Sequence, residues 1–301
     1  MLDNIRTARR ALVTGATGYI GSQLVRRLLR EGWEVAVVVR TGSALAVLDD
    51  IVPAITVHRH DGSTADMIAV VAAARPDTVF HLASLFLAQH KSDDVAALVG
   101  SNLLFSTQLA EAMAANQVRY LVNTGTSWQH YENAPYNPVN LYAATKQAFE
   151  DILAYYAQAG LLKVTTLALF DTYGPNDPRK KLVTLLRATA ASGEALHMSP
   201  GEQVLDLVHI DDVLDAYLLA AERIGSQVQA SAHYGVSSGE TLTLRQFVAL
   251  FEKVTGNPVP IVWGGRPYRE REVMVPWQAP ALEGWTARIR LEDGLRAIEG
   301  C

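Results

Sequence analysis

Residues 14–21 read TGATGYIG and join a short apolar run at residues 11–13 to a segment of helical period at residues 18–30. Glycines three residues apart permit a tight turn, let the backbone approach a pyrophosphate and allow the helix to pack against the strand. The start of the helix adds N–H donors and a positive dipole end. The stretch predicts the first βαβ turn of a dinucleotide-binding fold, with a purely structural turn as the alternative. The residues expected at the cofactor are Gly15, Thr17, Gly18, Tyr19, Ile20 and Gly21.

Short apolar runs alternate with longer segments of helical period as far as about residue 170. Nearly continuous apolar strands separated by helices indicate a parallel sheet that is covered on both faces. We therefore predict an α/β fold with a doubly wound parallel sheet of the Rossmann type. The predicted strands are residues 11–13, 35–39, 55–58, 78–82, 120–123, 164–170 and 233–236, and the predicted helices are 18–30, 67–74, 96–115, 141–159 and 211–223.

Turn-forming residues become frequent after Phe170, first at residues 171–178 and again at 256–267. This change predicts a smaller, interleaved C-terminal part that caps the carboxyl edge of the sheet, where doubly wound folds bind ligands. The predicted domains are residues 1–170, with 206–237 returning to them, for the dinucleotide, and residues 171–205 and 238–301 for the substrate.

The 301-residue chain is 49% hydrophobic and carries a net charge of −5, as an ordinary soluble protein does. The acidic balance argues against a nucleic-acid-binding surface, which is usually basic. Cys301 is the sole cysteine, which excludes an intrachain disulfide and a cysteine metal cluster. The apolar run after residues 1–10 is too short for a signal segment or a membrane span. We expect a cytoplasmic protein that binds neither nucleic acid nor membrane.

Arg40 ends the second predicted strand, nineteen residues after Gly21. An acidic residue there would bind the ribose 2′-hydroxyl of NAD, whereas an arginine suits the 2′-phosphate of NADP. Arg40, with Thr41 and Ser43 beside it, therefore favours NADP, although NAD stays possible; a solvated strand-end arginine is the alternative. Asp61, after the third strand, is a candidate acceptor for the adenine amino group, or equally a turn or capping residue.

Tyr142 and Lys146 stand four residues apart in a predicted helix, so their side chains share one face. A neighbouring ammonium lowers the pKa of a phenol, which allows the phenol to exchange a proton with a carbinol or carbonyl oxygen near neutral pH. Thr126 follows the fifth strand and offers a hydroxyl to the same oxygen. These three residues predict hydride transfer at a carbinol carbon.

Several motifs are spread over nearly the whole chain: TGATGYIG, HLAS at residues 81–84, Asn102, the Thr126 segment, YAATK at 142–146, YGPNDP at 173–178 and DLVHIDD at 206–212. Together they resemble the extended short-chain dehydrogenases/reductases and, within them, the NAD-dependent epimerase/dehydratase family that acts on nucleotide sugars. The resemblance implies a catalytic triad of Thr126, Tyr142 and Lys146, and a homodimer formed through the helices at 96–115 and 141–159. The other residues expected at the cofactor are Gly62, Leu82, Ala83, Ser84, Asn102 and Thr124.

The chain departs from the family pattern directly after Thr126. Dehydratases of the family carry an Asp-Glu pair there, and Ser127-Trp128 in its place argues against 4,6-dehydration. The family's V-Y-G is replaced by residues 129–131, Gln-His-Tyr. Leu205 occupies the place of an arginine that many relatives use for the pyrophosphate.

Residues 123–131 and 136–142 resemble CDP-abequose synthases and related 4-keto-sugar reductases. Arg266 and Arg269 could clamp a nucleotide diphosphate through their forked donors, and a solvated basic loop is the alternative. His130 is a candidate sugar contact or a structural histidine. We expect His58, His60 and Asp66 to lack the geometry of a metal site, and we assign no metal. The candidate substrate-binding residues are Ser127, Trp128, His130 and Arg266.

The predicted function is NADPH-dependent reduction of a nucleotide-linked 4-keto-6-deoxy sugar by a CDP-abequose synthase-like enzyme. A nucleotide-sugar 4-epimerase with tightly bound NAD is the alternative among enzymes. A non-catalytic NADP-binding sensor protein is the alternative of another class, and the presence of Thr126, Tyr142 and Lys146 argues against it.

Overall fold

The structure of the protein is a computed structural model that describes residues 8–299. Cys301 and residues 1–7, which enter the arguments on cysteine and on the N-terminal segment, lie outside the described residues. The strands are β1 (Arg10–Thr14), β2 (Glu34–Arg40), β3 (Ile55–His60), β4 (Thr78–His81), β5 (Tyr120–Thr126), β6 (Lys163–Leu169), β7 (Asp171–Tyr173), β8 (Leu196–Met198), β9 (Val204–His209), β10 (Ser231–Val236), β11 (Thr241–Thr243) and β12 (Ile261–Trp263). The helices are α1 (Tyr19–Arg30), α2 (Thr64–Ala74), α3 (Val95–Val99), α4 (Phe105–Ala115), α5 (Leu141–Gln158), α6 (Leu182–Ser192), α7 (Ile210–Arg223), α8 (Leu244–Thr255) and α9 (Leu291–Glu299).

Seven strands form one parallel sheet in the order β10-β6-β5-β4-β1-β2-β3. Strand β1 pairs in parallel with β2 on one side and with β4 on the other, so that Val13 lies opposite Val37 and Phe80. The strand order reverses direction at β1, and this is the topological switch point where open α/β sheets bind ligands. The predicted α/β doubly wound fold is confirmed.

The chain divides into two compact units. The first comprises Met1–Thr124, Thr145–Thr166 and Tyr217–His233, and the second comprises Gly125–Ala144, Leu167–Ala216 and Tyr234–Cys301. Of the segment predicted to return to the large sheet, β10 lies in that sheet, whereas β9 pairs with β7 and β11 in a separate three-stranded sheet. The predicted domain bounds themselves stay a prediction.

Each unit has its own apolar core. In the first unit, side chains of β1, β4, α2, α4 and α5 are buried together, and fully buried members include Leu12, Val79, Met113 and Phe149. In the second unit, α8 and α9 pack with β7 and β9 around Phe247 and Phe251. The alternation of buried strands with one-sided helices that is visible in the sequence up to about residue 170 therefore accounts for the core of the first unit.

The predicted helix at 96–115 is a composite of three segments. A wider π-helical turn, Gly100–Leu104, separates α3 from α4. Its residue Asn102 is 1% exposed and exchanges hydrogen bonds with groups outside the helix. The spacing of apolar residues in the sequence cannot predict such hydrogen bonds. Turns of this kind are frequent at functional sites.

Helix α2 begins three residues before its predicted start at Met67. Ser63 is its N-cap, and the Ser63 hydroxyl accepts a hydrogen bond from the Asp66 amide at 3.1 Å. This cap satisfies one of the amides that the first turn of a helix leaves without an intrahelical partner. Among residues 8–299, no helix is both long and apolar enough to cross a membrane.

Candidate active site

The glycine turn between β1 and α1 has contacts that a side chain would disrupt. Gly15 has a φ of +74°, and a Cβ atom there would lie 2.6 Å from the amide nitrogen of Ala83. A Cβ atom at Gly21 would lie 2.1 Å from the carbonyl oxygen of Gly15, so α1 meets the turn at backbone contact. The Gly18 amide donates to the same oxygen at 3.0 Å and closes the turn. These contacts hold the first turn of α1 in the arrangement that binds anions.

A buried polar chain joins the carboxyl ends of β1 and β4. The Thr14 hydroxyl lies 2.8 Å from His81 Nδ1, and His81 Nε2 lies 2.9 Å from the Ser106 hydroxyl. The amide of Ala83 donates to Thr14 Oγ1 at 3.2 Å, which fixes the backbone of Ala83 beside Gly15. Burial, and secondarily the charge of Lys146, lowers the pKa of His81 well below its ordinary value. The ring is therefore neutral at physiological pH.

Asn102 holds the segment that follows β4. Its side-chain oxygen accepts from the Leu85 amide at 2.7 Å and from the Ser84 hydroxyl at 3.2 Å. Its side-chain nitrogen donates to the Leu85 carbonyl and to the Thr145 hydroxyl, each at 3.0 Å. Asn102 therefore links the Ser84 segment to Thr145 of α5, the residue directly before Lys146.

Arg40 is exposed at the end of β2. Within the described part of the chain, its guanidinium makes no ion pair and no hydrogen bond, whereas its carbonyl accepts from the Ser43 amide at 3.0 Å. Arg59 of β3 donates to the Ser43 carbonyl at 3.3 Å and so stands at the same turn. The Thr41 hydroxyl donates to the His60 carbonyl at 3.0 Å. The turn therefore offers two guanidinium groups, while the Thr41 proton is already engaged.

Asp61 has the turn role that the sequence left as an alternative to adenine binding. Its carboxylate accepts from the Ser63 amide at 2.7 Å, and this bond is the largest cause of a pKa below the ordinary value. Gly62 has a φ of +101°, and its carbonyl accepts from Gln108 at 2.9 Å. A contact of Asp61 or Gly62 with a cofactor stays a prediction.

The expectation that His58, His60 and Asp66 form no metal site stays a prediction. The ligand atoms of His60, Asp61 and Asp66 all lie within 4.8 Å of one another, because the Ser63 cap turns Asp66 back toward the end of β3. His60 Nδ1 lies 2.9 Å from Asp66, and the amide of Asp61 donates to the same carboxylate at 3.2 Å. Hydrogen bonds account for this cluster, and we assign it no metal.

Tyr142 is the second residue of α5, and Lys146 follows one helical turn later. Lys146 is 1% exposed, which is unusual for an ammonium group. Burial lowers the pKa of Lys146 to about 8, and Glu150, another turn along the helix, opposes that shift. Lys146 is therefore a buried cation near neutral pH, on the helical face that it shares with Tyr142.

Thr126 ends β5 and caps the 3₁₀ turn Ser127–Gln129. Its hydroxyl oxygen accepts from the Trp128 amide at 3.3 Å, and its own amide donates to the Gln129 side chain at 2.9 Å. Gln129 is fully buried. The cap leaves the Thr126 proton to donate elsewhere, and the buried Gln129 fixes the backbone that carries it.

The loop after Gln129 is attached to residues 271–278. The ring of His130 stacks on Trp277 with centroids 3.7 Å apart, and the guanidinium of Arg271 lies over the Tyr131 ring at 4.4 Å. Arg271 also donates to Asn137. His130 is 9% exposed and its Nδ1 lies 3.2 Å from the Ala134 carbonyl, so its ring serves the packing of this loop. A contact of His130 with a sugar stays a prediction.

Three arginines near β12 differ in their surroundings. Arg269 pairs with Glu272 at 3.9 Å, and Arg271 is held as described. Arg266 is exposed and, among residues 8–299, its guanidinium has neither an ion pair nor a hydrogen bond. Its amide donates to Met198, which fixes its position beside β8. Arg266 is therefore the arginine of this segment that remains available to a ligand.

The remaining candidate residues are placed as follows. The hydroxyl of Thr124 lies 2.6 Å from that of Tyr217 of α7, so its side chain is already engaged. Thr17 is exposed, Ile20 and Leu82 are half-buried, and Tyr19 is buried. Ser127 and Trp128 are half-buried in the 3₁₀ turn.

Four residues that the sequence argument did not assign to the site lie beside candidate residues or their loops: Arg59 and Glu150 in the first unit, and Gln129 and Arg271 in the second. A Thr-x-x-Gln capping box at Thr126 was the signal for Gln129. The i, i+4 spacing from Lys146 was the signal for Glu150. Arg59 and Arg271 had none, because their contacts join segments that are distant in sequence.

Comparison with known proteins gives one family. The profile of the NAD dependent epimerase/dehydratase family matches residues 11–236. A UDP-glucose 4-epimerase of Mycolicibacterium smegmatis is 27% identical over 95% of this chain and 96% of its own length. A CDP-abequose synthase of Yersinia pseudotuberculosis is 26% identical over 89% of this chain and 91% of its own.

A solved structure has the same fold. The UDP-glucose 4-epimerase of Thermus thermophilus, in complex with NAD, superposes with a TM-score of 0.80 at 26% identity, covering 97% of this chain and 98% of its own. The profile match covers most of the chain and includes every predicted catalytic and cofactor residue. The chain therefore belongs to the NAD-dependent epimerase/dehydratase family and is an NAD(P)-dependent oxidoreductase of the extended short-chain dehydrogenase/reductase type.

Proposed function

We propose that this enzyme reduces a nucleotide-linked 4-keto-6-deoxy sugar with NADPH. The observation that carries the proposal is the buried cation Lys146, one helical turn after Tyr142 on α5. A buried ammonium is costly, and it is retained where its charge is used. Here the charge of Lys146 would stabilise the phenolate that Tyr142 becomes when it gives up its proton.

The residues of the first unit fit a dinucleotide. The glycine turn, with backbone contacts that exclude a Cβ at Gly15 and Gly21, would hold the pyrophosphate at the start of α1. Arg40, whose guanidinium makes no ion pair and no hydrogen bond within residues 8–299, would bind a ribose 2′-phosphate and so favours NADP. When bound, the reduced cofactor supplies a hydride to the ketone carbon.

The proton chemistry belongs to side chains of this protein. Tyr142 donates its hydroxyl proton to the ketone oxygen as the C–H bond forms, which yields the alcohol. Thr126 donates a hydrogen bond to the same oxygen, because its own oxygen already accepts from the Trp128 amide. Lys146 stabilises the resulting phenolate by its charge. The balance is one hydride and one proton added to one carbonyl group.

Two observations support a keto sugar as the substrate. A CDP-abequose synthase is among the relatives, at 26% identity over most of both chains. Ser127 and Trp128 occupy the positions directly after Thr126. They carry no carboxylates, so they cannot supply the acid and base that would remove water from the sugar. Arg266 would bind the diphosphate of the nucleotide.

A nucleotide-sugar 4-epimerase is the second candidate, because UDP-glucose 4-epimerases match this chain equally well. Tyr142, aided by Thr126 and Lys146, would then take the proton of the C4 hydroxyl and later return it. The hydride would pass from C4 to bound NAD and return to the opposite face, with no net consumption of cofactor. Arg40 favours the reductase, since a reductase draws on the NADPH pool.

We propose in addition that the enzyme is a homodimer. Leu104, at the end of the π-helical turn, is 57% exposed, and Tyr155 of α5 is 65% exposed. Large apolar side chains that form one patch on these helices would suit an interface between subunits. Sedimentation of the purified protein tests this proposal, since a monomer at micromolar concentration contradicts it.

Tyr142→Phe tests the proposed chemistry. We expect kcat for ketone reduction to fall about 10³-fold, because the proton donor is lost, while the Kd for NADPH changes less than about threefold. Tyr155→Phe, an exposed tyrosine on the same helix, serves as the matched control and keeps full activity. Retained turnover in Tyr142→Phe rules out the assigned role.

A further inference from the structure

Lys146 is buried among groups that differ in charge. His81 faces it from β4 and is neutral, since burial and the Lys146 charge lower the pKa of that imidazole. The Ser106 and Thr14 hydroxyls complete the hydrogen bonds of the same imidazole. The negative charge of Glu150 favours the ammonium form of Lys146. A buried cation with no nearby anion would lose its proton.

Glu150 lies on the same face of α5, one helical turn after Lys146. Its side chain is 13% exposed, so solvent screens its charge only weakly. The carboxylate therefore acts on Lys146 through the protein interior, where an electrostatic interaction is stronger than in water.

The carboxylate of Glu150 is itself held from the sheet. His233 of β10 places its Nδ1 atom 2.8 Å from Glu150 Oε2, and its side chain is 27% exposed. The contact joins the edge strand β10 to the middle of α5, and all three residues lie in the first unit. His233 therefore contacts Glu150, and Glu150 lies one helical turn from Lys146, on which its charge acts.

We propose that Glu150 and His233 are positioning residues for Lys146: Glu150 keeps it charged, and His233 fixes the carboxylate that does so. The inference rests on the proposed role of Lys146 in the reaction. It adds two residues, Glu150 of α5 and His233 of β10, that act on the reaction through Lys146. The pH at which Lys146 loses its proton, and with it the alkaline limit of activity, then depends on Glu150 and His233.

Proton linkage tests the proposal without any substrate. The pKa of Lys146 is about 8 in the folded protein, below its ordinary value of 10.5. In that window the unfolded chain binds more protons than the folded chain, so stability rises with pH. The contribution of Lys146 to this rise in stability is obtained from the urea midpoints of the wild type and of Lys146→Met. The difference between the two midpoints is measured at each pH from 6.5 to 10.5.

We expect this rise to begin about one pH unit lower when both proteins carry Glu150→Gln, because the opposing charge is gone. His233→Gln shifts it in the same direction by less. Glu150→Asp keeps the charge and holds the onset near that of the wild type. Glu111→Gln removes a carboxylate that accepts from Tyr156 of α5 at 2.8 Å, and as the matched control it leaves the onset unchanged.

An unchanged onset in Glu150→Gln, or the absence of a Lys146-dependent rise in the wild type, overturns the proposal. Activity provides a second measurement. In Glu150→Gln, the pH at which kcat/KM for ketone reduction falls on the alkaline side should be lower by the same amount, about one pH unit. A protein that shows the linkage but reduces no keto sugar argues against the proposed function alone.

Discussion

The hydroxyl oxygen of Thr126 accepts a hydrogen bond from the amide of Trp128 at 3.3 Å, at the end of strand β5. A hydroxyl has one proton to donate, and this contact directs the lone pairs to the backbone. The proton of Thr126 is therefore available to a substrate oxygen. In the proposed reaction Thr126 would be such a donor to the developing oxyanion.

Thr126→Val removes that donor and keeps the shape of the side chain. We expect kcat/KM for ketone reduction to fall about 10²-fold, in line with the loss of one oxyanion donor. Thr126→Ser retains the hydroxyl and should lose less than about tenfold. Steady-state kinetics with NADPH held at saturation provide the measurement. Equal activity of the valine and serine variants would show that the hydroxyl has no part in the reaction.

The glycine turn gives a graded series of substitutions. A Cβ atom at Gly21 would lie 2.1 Å from Gly15 O, whereas one at Gly18 would lie 3.3 Å from the same atom. Gly21→Ala should therefore abolish measurable NADPH binding, and Gly18→Ala should weaken it to a smaller extent. Gly100→Ala is the matched control, since a Cβ atom there meets nothing within 4 Å.

Fluorescence titration with NADPH ranks these three variants. The order of affinity should be Gly100→Ala first, Gly18→Ala second and Gly21→Ala last. Tight binding by Gly21→Ala would mean that α1 can move away from the turn, contrary to the packing described.

Arg40 sets the choice of cofactor in this account. Removing the guanidinium in Arg40→Ala should raise the Kd for NADP about 10- to 100-fold, the range of one or two charge-assisted contacts, with little change for NAD. Arg59→Ala, at the same turn, should have a smaller effect of the same sign. Calorimetry with both cofactors gives the ratio, and equal losses for NADP and NAD would assign Arg40 a structural role.

The sequence predicted the first six strands to within three residues at each end, because each of them contains a short stretch rich in Val, Ile, Leu, Ala, Phe or Tyr. It did not predict α8, although Thr243 and Gln246 form a capping box and Gly256 ends that helix with a φ of +70°. Those signals were present in the chain. The dense turn formers after Phe170 obscured them.

Other features depend on contacts between distant segments. Helix α9 contains Gly294, where a Cβ atom would lie 2.2 Å from the Tyr173 hydroxyl, so a helix-weakening residue is required by packing. The catalytic candidates were accessible from spacing alone, since Tyr142 and Lys146 share a helix. Gln129 also had a local signal, the capping box with Thr126. His233 had none, because its contact with Glu150 joins segments that are distant in sequence.

His81 predicts how acid affects stability. Its pKa is lowered on folding, so the unfolded chain gains a proton below the ordinary value of 6.5 while the folded chain resists it. Stability should therefore fall as the pH decreases below about 6.5. Urea midpoints between pH 5 and 8 give the slope, and His81→Gln should reduce it. An equal slope in that variant would locate the acid sensitivity elsewhere.

The central claim is that the enzyme transfers a hydride from NADPH to a sugar ketone with net consumption of the cofactor. The most direct measurement supplies CDP-4-keto-6-deoxyglucose with NADPH deuterated at nicotinamide C4 and follows the sugar by mass spectrometry. The account predicts one NADPH oxidised per sugar and, from one of the two C4 faces, one deuterium at sugar C4. Interconversion of nucleotide sugars with no NADPH consumed, and with NAD retained on the purified protein, would contradict it.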